Sequence, residues 1–266
     1  MSKTNKFIVW CVLIAVTSFW MWAATGQWLA GSLIDQSNLD RFAVFGTLSV
    51  VLMSLLSVGF IIFPGKIDGM ILSFIVGLMF FIFFGISNIN LVGVTVLILL
   101  FINADDVVSG DMVERLKLNS RKLIRCSLSN IVLGLFILVS FAAFNSPAIK
   151  SFKNMEQLPT SSQIFIRTIV EQSLGGQLEG TSPEQREAVL SQVTGEVMRE
   201  ANVFLKPYFE YIPPALAFGL FLVLWGVGWV FIWLSVFLGM LIYWLLKRFG
   251  FFKIEEYDVK AERIII

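Results

Sequence analysis

The chain has 266 residues, of which 57% are hydrophobic and only 15% charged, with a mean hydropathy of +0.81; soluble domains carry about 25% charged residues. A net charge of +1 supplies no basic field for nucleic acid. Histidine is absent, which removes His-ligated zinc and haem and the Ser-His and Cys-His nucleophile pairs.

The apolar residues are gathered into long runs, the signature of an all-α polytopic membrane helix bundle. Lys3 and Lys6 precede the first run, at 7–24. An uncleaved signal-anchor helix with a cytoplasmic amino terminus is the favoured reading; a cleaved secretory signal, cut near Ala23 or Thr25, is the alternative. The loop to Arg41 holds Asp35 and Asp40 and few cations, as suits the outer face. A second span at 42–63 ends on the turn Pro64-Gly65. Ser49, Ser54 and Ser57 on this span could line a pore or simply pack against another helix.

Met70 to Ala104 carries no charge, yet one helix of that length would reach about 52 Å against a hydrocarbon core of roughly 30 Å. The polar cluster Ser87-Asn88-Ile89-Asn90 divides it into spans at 70–86 and 89–104. The sharper alternative is an interrupted helix in which Ser87, Asn88 and Asn90 surround a bound substrate or ion. Asp105, Asp106 and Asp111 then read as acids of a solvated inner loop. In the same loop Arg115, Lys117, Arg121, Lys122 and Arg125 give the strongest positive-inside signal, and a basic cluster there can also bind anionic head groups. The span at 126–144 follows, with Asn130 available for an interhelical hydrogen bond. Cys11 and Cys126 read as small buried hydrophobes.

Residues 145–212 form the one sizeable segment outside the spans, an extracytoplasmic helical insertion. A first helix is expected from Ser162 to Leu174, stopped by Gly175-Gly176. Ser182-Pro183-Glu184-Gln185 is a strong start signal for a second, which ends at Lys206-Pro207. Val189, Val193, Val197, Ala201 and Phe204 recur at helical spacing and form a candidate surface for a second copy of the chain or an envelope protein.

Residues 213–248 make either a hairpin or one long helix. Length favours the hairpin, and so do Trp225, Trp229 and Trp233, which would become interfacial anchors around a turn at Gly226-Val227-Gly228. Lys247, Arg248 and Lys253 favour a single crossing that ends inside. The indoles tip the reading to the hairpin and so to seven spans. A tail at 249–266 alternates charged and apolar residues.

Phe204-Leu205-Lys206-Pro207-Tyr208, Pro213-Pro214-Ala215-Leu216-Ala217 and Gly250-Phe251-Phe252-Lys253-Ile254-Glu255 together resemble the carboxyl-terminal third of uncharacterised bacterial multipass membrane proteins. The resemblance implies an amphipathic segment before two apolar helices and brings no activity, cofactor or catalytic residue.

No apolar run holds an aspartate pair for an intramembrane aspartyl protease, a rhomboid-type protease lacks its histidine, and no phosphate-binding glycine loop is present. The expectation is a non-enzymatic, multi-pass plasma-membrane (inner-membrane) protein without a cofactor or metal. Its partners would be the lipid bilayer and either its own copies or an envelope protein. A transporter or channel is the first alternative. A lipid-modifying enzyme working through Asp105, Asp106 and Asp111 is the second.

Overall fold

Apolar chain in a bilayer must satisfy its own backbone N–H and C=O groups, which drives each long run into a helix. The computed structural model describes residues 2–31, 36–114, 119–146, 149, 166–172, 183–205 and 211–252, and no strand occurs among them. The helices are α1 (Lys3–Ala30), α2 (Gln36–Ile62), α3 (Lys66–Phe84), α4 (Asn88–Glu114), α5 (Ser120–Asn145), α6 (Pro183–Leu205) and α7 (Ile212–Arg248). All except α6 are long and apolar enough to cross a membrane, which makes six candidate spans. The chain divides into two compact units, Met1–Ser146 with Ala217–Ile266, and Pro147–Leu216.

In the first unit α1 packs on α2 and α3, α4 lies between α3 and α5, and α2 reaches both α4 and α5. Trp22, Phe45, Phe60, Phe80, Phe101 and Phe136 are all but fully buried in this bundle. Lipid supplies no hydrophobic drive between helices, so close approach over small residues has to hold them together. Gly77 of α3 receives Val94 of α4, and Gly93 of α4 receives Phe141 of α5.

The expected hairpin at 213–248 does not form. Ile212–Arg248 is one continuous helix of 37 residues, about 55 Å long at 1.5 Å per residue. Gly228 and Gly239 are points of close packing instead: a Cβ at Gly228 would lie 3.4 Å from Phe136, and one at Gly239 3.3 Å from Ile124. Just beyond the helix, Phe251 accepts a hydrogen bond through its carbonyl from Lys6 Nζ at 2.5 Å. The same ammonium sits 5.2 Å from the centre of the Phe251 ring. The start of α1 and the end of α7 therefore share one end of the bundle, as a single crossing requires. Gly226 has open space where a Cβ would project. Gly226→Ala is accordingly expected to leave thermal unfolding in detergent unchanged or to stabilise the helix by up to about 1 kcal/mol. A turn with left-handed backbone at this glycine would instead make the variant clearly less stable.

The acids after Ala104 do not occupy the expected loop: α4 runs ten residues further, to Glu114, and carries Asp105, Asp106 and Asp111 on its last turns. The basic residues Arg115 and Lys117 lie outside the described residues.

In the second unit, α6 begins at Pro183 and ends at Leu205, as its start and stop signals predict. Its Ser182 cap, Gly175-Gly176 and Lys206-Pro207 fall outside the described residues, as do 254–266 in the other unit; of the earlier helix only 166–172 is described, and it is helical. Arg167 joins the two helical stretches, pairing with Glu187 at 2.6 Å and with Glu171 at 3.1 Å.

Candidate functional sites

The polar residues within the spans bond across helices, within one turn, or not at all to a side chain. On α2, Ser57 Oγ lies 2.6 Å from Ser127 Oγ of α5 and within reach of the Ile124 carbonyl. Ser54 Oγ lies 3.1 Å from the Ser235 carbonyl of α7, and Ser235 Oγ reaches back toward the Val50 carbonyl. These hydroxyls staple three helices together. Ser49 is buried beside them on α2. Cys11 and Cys126 are free thiols and half-buried.

The polar interruption at 87–90 forms a closed turn. Gly85 adopts φ +73°, a left-handed backbone that a side chain would strain, and its N–H bonds the Phe81 carbonyl to end α3. Ser87 Oγ accepts from the Asn90 N–H and so starts α4. Asn90 is fully buried, and its amide donates to the carbonyls of Phe84 at 3.1 Å and Gly85 at 2.9 Å. Its own Oδ1 accepts from Asn145 Nδ2 at 2.7 Å. Ser87 and Asn90 are thus brought together with Asn145, a residue that sequence reasoning passed over, while Asn88 is exposed.

At the opposite end of the bundle lies Asp105, a carboxylate that breaks the usual rule for membrane interiors. Asp105 is 1% exposed, no side chain among the described residues hydrogen-bonds its carboxyl oxygens, and the Gly65 backbone N–H is directed at them. It packs on the backbone of α3, where a Cβ at Gly69 would stand 3.2 Å from its own. Lys66 is close by but pairs with the neighbouring Asp106, at 3.4 Å. Asp105, Asp106, Lys66 and Ser109 line a cavity of about 360 Å³ there. Among the described residues no three acids or cysteines are grouped so as to hold a metal ion.

No protein-family model, curated protein or solved structure matches this chain. The weight of any functional reading therefore falls on these residues. An ionisable group held inside a membrane bundle is costly and marks a functional position more often than an ordinary one. What partly offsets the cost at Asp105 is the amino-terminal end of α3, whose first turns at Gly65 to Gly69 carry the positive pole of that helix.

Of the remaining candidates, Trp225, Trp229 and Trp233 fall in the middle of α7 on one stripe, 50%, 68% and 72% exposed. With no turn at Gly226 to carry them outward, they stand along the flank of a continuous helix. On α6, Leu190 and Thr194 are the buried positions, each 3% exposed. Val193 and Ala201 are half-buried, and Val189, Val197 and Phe204 are exposed. Among the described residues, the valine line at Val189 and Val197 lies on the exposed side of α6.

Proposed function

We propose that this chain is a non-enzymatic multi-pass protein of the plasma membrane. In this reading the segment at 147–216 assembles it with a second copy of itself or with another envelope protein. The supporting observation is the exposed valine face of α6, on which Val203 is 72% exposed and Val189 and Val197 39% each. Apolar side chains exposed on a span rest in lipid, but α6 is not a span, and a cluster of them there calls for cover. The cytoplasmic placing of the amino terminus is supported by Lys6, Lys66, Arg121, Lys122, Arg125, Lys247 and Arg248. All of these belong to the helix ends that share one end of the bundle.

The test is thiol crosslinking in intact cells. In a chain with Cys11→Ser and Cys126→Ser, a cysteine at Val197 or Phe204 should give one discrete adduct with a membrane-impermeant bifunctional reagent. A cysteine at the exposed polar Gln192 should give much less. Monomer alone at all three positions would sink the assembly reading, and labelling only after the cells are opened would reverse the orientation.

A second reading, transport of a small solute, is supported by one observation, the buried carboxylate of Asp105 beside its cavity. Vesicles that stay equally tight to ions and small solutes with the wild-type protein and with Asp105→Asn would count against it.

A further inference from the structure

A groove of about 390 Å³ runs between α5 and α7, and its lining changes character along its length. Arg121, Arg125 and Ser129 line it from α5, and Trp229, Trp233 and Phe237 are among its residues from α7. The two helices are antiparallel here: Gly239 packs on Ile124, and Gly228 on Val132 and Phe136. That register sets the guanidinium groups level with the Phe237 end of α7, while the Trp229 end extends toward the middle of the bundle. The groove is therefore cationic where the chain ends of α1 and α7 gather and apolar further in.

Both guanidinium groups are exposed, and neither makes an ion pair among the described residues. Lys122, between them in sequence, is committed to Asp111 at 3.5 Å. The two arginines stand four residues apart, so they share one face of α5, on its first turns, where the helix dipole adds positive potential rather than relieving it. Two unneutralised cations above an apolar channel, with a serine hydroxyl at the boundary, match a molecule with an anionic head and a hydrocarbon tail. We propose that this groove binds an anionic glycerophospholipid of the leaflet at the Arg121 end. Arg121 and Arg125 hold the phosphate, and an acyl chain lies along Phe237, Trp233 and Trp229. Guanidinium suits the head group because its planar fork meets phosphate oxygens in pairs. The tail accounts for an apolar continuation that a free anion would not need.

The experiment uses the full chain in a neutral detergent, with phosphatidylglycerol, phosphatidylcholine or inorganic phosphate added and the thermal midpoint recorded. Phosphatidylglycerol alone should raise the midpoint, saturably. Arg121→Gln and Arg125→Gln should each weaken its apparent affinity about fivefold, and the double variant about 25-fold, at roughly one basic contact's worth per residue. Lys122→Gln, whose charge is already engaged, should leave the affinity unchanged, and Ser129→Trp should abolish the response by filling the groove. An equal rise with phosphatidylcholine, or an unaltered response in the double variant, overturns the proposal. A full response to inorganic phosphate overturns the lipid and leaves a simple anion site. Should the double variant fail to fold, native mass spectrometry of the wild type decides. One phosphatidylglycerol retained per chain, displaced in Ser129→Trp, supports the groove, and none retained refutes it.

Discussion

Replacing Asp105 by asparagine is expected to make this protein more stable, by about 1–2 kcal/mol at neutral pH. An ionised carboxylate taken out of water costs several kcal/mol, and Asp105 is 1% exposed with no side-chain partner on either oxygen among the described residues, only the Gly65 backbone N–H being directed at it. The amide is nearly the same size and keeps the packing against Gly69, but carries no charge to desolvate. Against the gain stands the attraction between the carboxylate and the amino-terminal end of α3, which is worth at most about 2 kcal/mol in partly buried geometry. Asp106→Asn is the control. That side chain is 42% exposed and paired with a lysine that is 73% exposed, so its loss should move stability by less than about 0.5 kcal/mol. Equilibrium unfolding of the two variants and the wild type in one detergent distinguishes the outcomes. A rise for Asp105→Asn accompanied by loss of biological activity is the pattern of a residue kept for function at the expense of stability. A fall of more than 1 kcal/mol would identify the carboxylate as the cap of α3, and the transport reading would lose its support.

That residue also shows where the reach of the amino-acid sequence ended. Hydropathy locates the point at which a run stops being apolar, here Ala104, but a helix stops where its backbone hydrogen bonds stop, and α4 continues to Glu114. Nothing local to Asp105 reports that Gly69, thirty-six positions earlier, leaves it a seat inside the bundle. Where the controlling chemistry was local, it was readable. The Pro64-Gly65 turn, the break at Ser87 to Asn90 and the span of α6 from Pro183 to Leu205 all follow from residues within a few positions. The reading of α7 failed because Gly226 and Gly228 carry two meanings. In water a Gly-x-Gly pair with flanking bulk suggests a turn, whereas in a membrane bundle a glycine such as Gly228 is a place where Phe136 can come close. On α6 the helical period was readable, and among the described residues of this helix the buried positions are Leu190 and Thr194, one residue round from Val189 and Val193. Periodicity fixes which residues share a face and leaves open which way that face is turned.

The same logic of close approach leads to a large loss expected at Gly77 of α3. A Cβ there would meet Val94 Cγ1 at 2.6 Å, a distance no relaxed contact reaches. Val94 is 6% exposed, and its branched side chain has one strongly preferred rotamer in a helix, so it has no way to swing aside. Gly77→Ala should therefore cost about 1–3 kcal/mol, the usual range for overpacking, and Gly77→Leu more, because α3 and α4 would have to separate. The loss should be recovered in large part by a second change that removes the obstacle. In Gly77→Ala the partner substitution Val94→Ala takes away the methyl that clashes, and a double-mutant cycle should show a favourable coupling of about 1–2 kcal/mol. Gly219→Ala, where nothing lies within 4 Å of the new methyl, supplies the reference for a helical glycine without a neighbour. Its stability should match or slightly exceed the wild type. If Gly77→Ala behaves like Gly219→Ala, α3 and α4 are not in contact at this level, and the seat of Asp105 against Gly69, two turns along the same helix, falls with them.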